Sequence, residues 1–259
     1  MTEIFLEGLC QRKMPLSTLA LLGATIVATS FLSGVFGMAG GMILLGVLLN
    51  YFDVAAAMVL FSIIQMVANG WRALQWRDYV RWPIFISYMV GAAIAFAAMF
   101  AVSFVPNKMM VYLTLGLMPF AVELLPKRAR PNIEWRGMPF ITGFLITVVQ
   151  VLSGIGGLFL DIFFQKSMLD RKTTNATKAV VQSLSHVIRA TYFISLAGGS
   201  LDLPLAMCAP AVVLAIGGTM LAPFVLERMT DHGFRRWTRA IIFAVSTVYL
   251  ARALSLAVR

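Results

Sequence analysis

The chain has 259 residues, 60% of them hydrophobic and 12% charged, with a mean hydropathy of +0.86. Those proportions exclude an ordinary soluble domain, and apolar runs that are continuous rather than alternating exclude a membrane β-barrel. A polytopic helical membrane protein remains. The net charge of +10 belongs with basic cytoplasmic loops rather than with nucleic acid.

Residues 1–15 read as a short mixed-charge lead-in, and apolar sequence continues after it with no cleavage signal. The next apolar run, Leu16 to Phe52, would be about 55 Å long as one helix, too long for a single crossing of a hydrocarbon core about 30 Å thick. It breaks within Ser33-Gly34-Val35-Phe36-Gly37-Met38-Ala39-Gly40-Gly41. Predicted spans follow at Val54–Leu74, Ile84–Phe104 and Met109–Leu125. The basic segment 126–137 then reads as a cytoplasmic linker between a first transmembrane repeat (16–125) and a second (138–259). The second repeat has the same plan. Met138–Phe164 is overlong and breaks at Ser153-Gly154-Ile155-Gly156-Gly157, and Thr174–Leu196, Leu203–Leu226 and Trp237–Val258 follow.

A polar stripe follows each double glycine. Gln182, His186 and Arg189 are spaced i, i+4, i+7 and share a helix face, with Lys178 one turn earlier. With Gly40-Gly41 placed on Gly156-Gly157, the triplet Gln65, Asn69, Arg72 falls one residue out of register with them, at the same spacing. Two breaks followed by two matching stripes predict an internal duplication.

Loop charge orients the halves. If every apolar segment made a simple crossing, the basic residues would divide almost evenly between the two sides. If each glycine-broken segment is a hairpin, re-entrant or fully crossing, then Lys166, Arg171, Lys172, Arg228, Arg235, Arg236 and Arg239 join the seven basic residues from Arg72 to Arg136 inside. Only Arg12, Lys13, Lys108, Arg252 and Arg259 stay outside. The positive-inside rule selects the second arrangement. The expected fold is therefore an all-α integral membrane protein of two inverted repeats, each a glycine-broken helix pair followed by three transmembrane helices. Both termini are expected on the periplasmic side of a bacterial inner membrane.

Inverted repeats with broken helices place a binding site near the bilayer midplane. Gly40, Gly41, Gly156 and Gly157 allow close approach and free amides, and a helix restarting there turns its positive end toward an anion. Gln65, Asn69 and Gln182 add neutral donors. His186 adds one that changes charge near neutrality, making it the candidate for proton coupling. Arg189 completes the expected substrate-binding set, with Arg72, Lys178 and Asp161 in a secondary role, the last two as a possible ion pair. The expected partners are a small anion, the lipid bilayer and protons. No metal or other cofactor is expected: Cys10 and Cys208 have no metal or redox spacing, and there is no P-loop for direct nucleotide coupling.

The second half, with Gly156-Gly157-Leu158-Phe159-Leu160-Asp161-Ile162-Phe163-Phe164, then Leu169-Asp170-Arg171-Lys172, then Thr177-Lys178-Ala179, Gln182 and His186, resembles the TauE/SafE family of sulfite exporters and 4-toluene-sulfonate uptake permeases. The paired Ser-Gly…Gly-Gly breaks extend the resemblance over nearly the whole chain after residue 15, although the second break lacks the fuller glycine triplet often seen in the family. The resemblance implies secondary transport of sulfite or organosulfonates, often outward. Two other readings stand beside it. Broken helices and polar pore residues also serve a passive anion channel. Ser153-Gly154 with His186 would form a rhomboid-like protease dyad if the two side chains came within hydrogen-bond reach.

Overall fold

The computed structural model describes residues 15–36, 38–197, 208–226, 228–229 and 231–258. The lead-in before Pro15, Gly37 of the first break and the start of the span expected from Leu203 lie outside the described residues. Among those described there are ten α-helices and no strand: α1 (Leu16–Phe36), α2 (Met38–Tyr51), α3 (Val54–Gln75), α4 (Trp82–Val102), α5 (Lys108–Leu124), α6 (Met138–Ser153), α7 (Gly157–Phe164), α8 (Arg171–Leu196), α9 (Cys208–Leu226) and α10 (Asp231–Ala257). Four segments, α1, α3, α4 and Arg236–Ala257 of α10, are long and apolar enough to cross a membrane. Midway along α4 the outward side chains are apolar, with Ile86, Val90 and Ile94 exposed, while inside the bundle Thr29, Gln65, Thr147, Gln150 and Arg189 are buried. That is the polarity a lipid-embedded bundle requires.

Local chemistry sets the helix ends. Asp53, Asn107 and Asp170 accept from first-turn amides of α3, α5 and α8, respectively, as N-caps do. The Thr173 hydroxyl and amide, with the Lys172 amide, hold the exposed Asp170 carboxyl below its ordinary range. At the end of α6, Gly154 has a φ of 78°, a left-handed conformation suited to glycine, and its N–H returns to the Gln150 carbonyl.

Both glycine breaks are hairpins. A methyl on Gly40 would lie 2.1 Å from the Thr29 carbonyl oxygen and 2.5 Å from the Ser33 nitrogen, so α2 doubles back with its backbone against α1. In the second half, a methyl on Gly156 would meet Ile146 and Gln150 of α6. There the returning helix α7 is only eight residues long. The segment that follows α5 is fastened to the far end of α7, where Ile133 N donates to Phe163 O at 2.8 Å and Asn132 Nδ2 donates to Lys166 O at 3.1 Å.

The strongest helix contacts are matched when the halves are exchanged. α1 packs on α9 as α6 packs on α4, and α3 meets α9 as α8 meets α4. The self-corresponding pairs, α3 with α8 and α5 with α10, pack directly on each other. Small residues allow the closest of these approaches: a methyl on Gly143 of α6 would be 1.9 Å from the Tyr88 carbonyl of α4.

Candidate functional site

α3 and α8 run together through the centre of the bundle and carry the two polar stripes. Their equivalent residues meet: Asn69 Nδ2 lies 3.3 Å from His186 Nε2. Around this contact is a cavity of about 90 Å³, lined by Gly41, Gln65, Asn69, Gly156, Gly157, Gln182 and His186, together with Arg72, Lys178 and Asp161. Since a water takes about 30 Å³ of liquid volume, the space suits a few waters or one small polyatomic ion. The structure thus brings both double-glycine segments and both stripes to one place.

Two of the predicted site residues stand apart from the lining. Gly40 is buried against α1, one residue behind the cavity wall formed by Gly41. Arg189 lies behind His186 and is 1% exposed. Its Nε donates to Ser62 Oγ at 2.8 Å, its Nη1 to the Gly154 carbonyl, and its Nη2 to His186 Nδ1 at 3.0 Å, while the guanidinium carbon sits 4.7 Å from the centroid of the Phe61 ring. Arginine only donates, so Nδ1 of His186 accepts from Nη2.

Much of the lining is polar and without a partner. Ser33 Oγ and the Gln65 carboxamide are more than nine-tenths buried, yet neither side chain makes a hydrogen bond among the described residues. The Gln182 carboxamide, half-buried, has none either, and the Arg72 guanidinium has neither a hydrogen bond nor an ion pair there. Buried polar groups are normally satisfied, and a set left open around one small void is what a polar ligand completes.

The chain matches the family model described as sulfite exporter TauE/SafE over residues 21–249. It belongs to the TauE/SafE sulfite exporter family. Members are membrane transporters of sulfur oxyanions and not enzymes. Among curated proteins and among solved structures nothing matches.

For a TauE/SafE exporter the surroundings of the cavity matter as much as its lining. A vestibule of about 670 Å³ adjoins it, sharing Ala68, Arg72, Asp161, Asn175 and Lys178, so these residues form a neck between the two spaces. Lys178 Nζ is in direct contact with Asp161 Oδ1, the ion pair expected from sequence. On the same side of the molecule, Lys172 Nζ lies 5.2 Å from the Tyr79 ring centroid and 5.8 Å from that of Trp76, and Arg81 N donates to Thr177 Oγ1 at 3.0 Å. On the opposite side Arg189 backs onto apolar packing, where Leu45 and Met58 close over Gly154.

The protease dyad does not form. Ser153 Oγ donates to the Val149 carbonyl at 2.8 Å and accepts from Ile155 N at 3.3 Å, while His186 is engaged by Asn69, Gln150 and Arg189. Ser153 therefore shapes the turn. Among the described residues no group of His, Cys, Asp and Glu gathers as a metal site. Sequence reasoning missed Gln150, which is 4% exposed, lines the cavity and places Nε2 3.3 Å from His186 Nδ1. Its signal was a lone carboxamide in an apolar run, one turn before the second break. Ser62, three residues before Gln65 on the same helix, was missed as a partner of Arg189.

Proposed function

We propose that the chain is a secondary carrier that exports sulfite or a related small sulfur oxyanion. Substrate binds in the central cavity between the two double-glycine segments, and the two halves give alternating access to it. The observation that carries this reading is the set of unpartnered donors, Ser33, Gln65, Gln182 and Arg72, around a void of ionic size. Division into repeats 16–125 and 138–259, joined by the linker 126–137, is favoured by the strongest helix contacts, which are matched when the halves are exchanged. Inversion of the repeats is favoured by the loop charges. In this arrangement the chain spans a bacterial inner membrane with both termini periplasmic, and the vestibule opens to the cytoplasm. Substrate loads from the vestibule, and Gly41, Gly156 and Gly157 let backbone amides approach it. A passive channel is disfavoured because the cavity ends against Arg189 and the apolar layer behind it.

The proton motive force is the proposed drive, through His186. Its Nδ1 accepts a proton only after Arg189 withdraws, so a protonated Nδ1 and the Arg189 hydrogen bond exclude one another. Sulfite flux in proteoliposomes, with and without a pH gradient, tests the reading in wild type and Gln182→Ala. Saturable, gradient-driven flux that the mutation reduces supports the carrier and its site. Flux unchanged by the mutation moves the site elsewhere. Absence of sulfite flux with retained organosulfonate flux changes the substrate within the class.

A further inference from the structure

Asp161 is the only carboxylate among the described residues lining either the cavity or the vestibule. Its position is unexpected for an anion pathway. It stands at the neck, in contact with Lys178 of α8 and with its charge facing Arg72 of α3. A fixed negative group at the entrance repels an incoming anion by Coulomb's law, most strongly where water is scarce. A purely structural ion pair would serve as well away from the route, and this one has 38% of the carboxylate side chain and 22% of the lysine side chain accessible.

We propose that Asp161 is a built-in stand-in for the transported anion, occupying Lys178 while the cavity is empty and yielding it to substrate on loading. The proposal rests on the oxyanion-carrier reading above. It gives the neck two balanced states. In the empty carrier the lysine charge is compensated by the carboxylate, so the protein can return without cargo. In the loaded carrier the substrate oxygens take over Lys178 and Arg72, and the displaced carboxylate then competes for the lysine and hastens release on the other side. Asp161 is on this view a positioning residue for Lys178, and it sets how tightly the carrier holds its substrate.

Removing the carboxylate should separate two modes of transport that a structural defect would lower together. In Asp161→Asn, Lys178 and Arg72 face the cavity without a competitor. Sulfite binding is then expected to tighten by about tenfold, the scale of one unit charge moved a few ångströms at partial burial. Net efflux into sulfite-free medium is expected to fall further than sulfite/sulfite exchange, because exchange shares only the slowed release whereas net efflux also needs the slowed empty return. Asp161→Glu is expected to recover net efflux. Binding that is unchanged or weaker in folded Asp161→Asn overturns the proposal, as does an equal loss of exchange and net flux. If that variant does not fold, wild-type protein carries the test. Sulfite addition is expected to shift a carboxylate stretch in the infrared difference spectrum, and no shift overturns the proposal. Failure of the carrier reading is recognised separately, as wild-type protein that neither binds nor moves any small sulfur oxyanion.

Discussion

Arg189 is 1% exposed, and every group it donates to is uncharged. A buried cation with no carboxylate beside it is costly, and it is tolerated where its donors are filled and an anion comes near. Its partners come from three helices: Ser62 from α3, the Gly154 carbonyl closing α6, and His186 from its own α8. It therefore ties together the side of the cavity away from the vestibule. Hydrogen bonds to charged groups contribute about 1.5–3 kcal/mol each, and lysine does not reproduce a three-way planar fork. Arg189→Lys is thus expected to loosen this side while keeping the charge. A cysteine placed at Ser62 in that background should react with a membrane-impermeant thiol reagent that leaves it untouched beside the native arginine. Unchanged protection would place the seal elsewhere. For His186→Gln, the carboxamide still donates and accepts but no longer takes up a proton. Transport is expected to persist while the ratio of flux at pH 6 to flux at pH 8 moves toward one, and full retention of the wild-type ratio would remove His186 from proton coupling.

Among the helices, the closest approaches are the ones least able to absorb a side chain. Gly143→Ala puts a methyl 1.9 Å from the Tyr88 carbonyl, backbone that cannot swing away, so α6 must move off α4. Overpacking of this kind costs about 1–3 kcal/mol, and a lowered unfolding temperature in detergent is expected. Gly217→Ala has no neighbour within 4 Å and serves as the neutral control; equal effects from both would show that the contact between α4 and α6 is not tight. Most of this level was legible in the sequence. Apolar runs located most of the described helices to within a few residues, because a membrane helix announces itself by length and composition. The overlong run from Leu16 to Phe52 required a fold-back near its glycines. The depth of each hairpin was not legible: α2 has 14 residues and α7 only eight, and that difference depends on what each returning helix packs against. The i, i+4, i+7 stripes placed Gln65, Asn69, Gln182 and His186 on facing helices, since periodicity fixes a face. It does not fix depth, so Arg189 was grouped with the lining although three partners from separate segments hold it behind His186. Gln150 was missed because its companions on the same face of α6, Thr147 and Ser153, carry only hydroxyls, which membrane helices commonly bond to their own backbone, as Ser153 does.

For the molecule as a whole, the decisive property is direction. The strongest helix contacts are matched when the halves are exchanged, yet among the described residues the vestibule adjoins the cavity from one side, past Arg72, Trp76, Asn175 and Lys178. Arg72 and Arg189 sit at matching positions of the two stripes but in opposite circumstances, one unbonded on the cavity wall and one locked behind it. Exchange of those circumstances between the halves is how a duplicated bundle would open the other route. Arg77, Arg81 and Lys172 crowd the vestibule side, whereas Lys108, which donates to the Leu49 carbonyl at 2.7 Å, and Arg252 belong to the other. If the positive-inside rule governs, the first group is cytoplasmic and this conformation is poised to load from the cell interior, as an exporter must be. In a variant lacking Cys10 and Cys208, a cysteine at Lys108 is expected to react with an impermeant thiol reagent in intact cells, and one at Lys172 only after the membrane is opened. The reverse pattern would turn the molecule over, and the same vestibule would then load from outside and describe uptake. Because the cavity chemistry is the same in either orientation, this labelling decides the direction of loading independently of which sulfur oxyanion is carried.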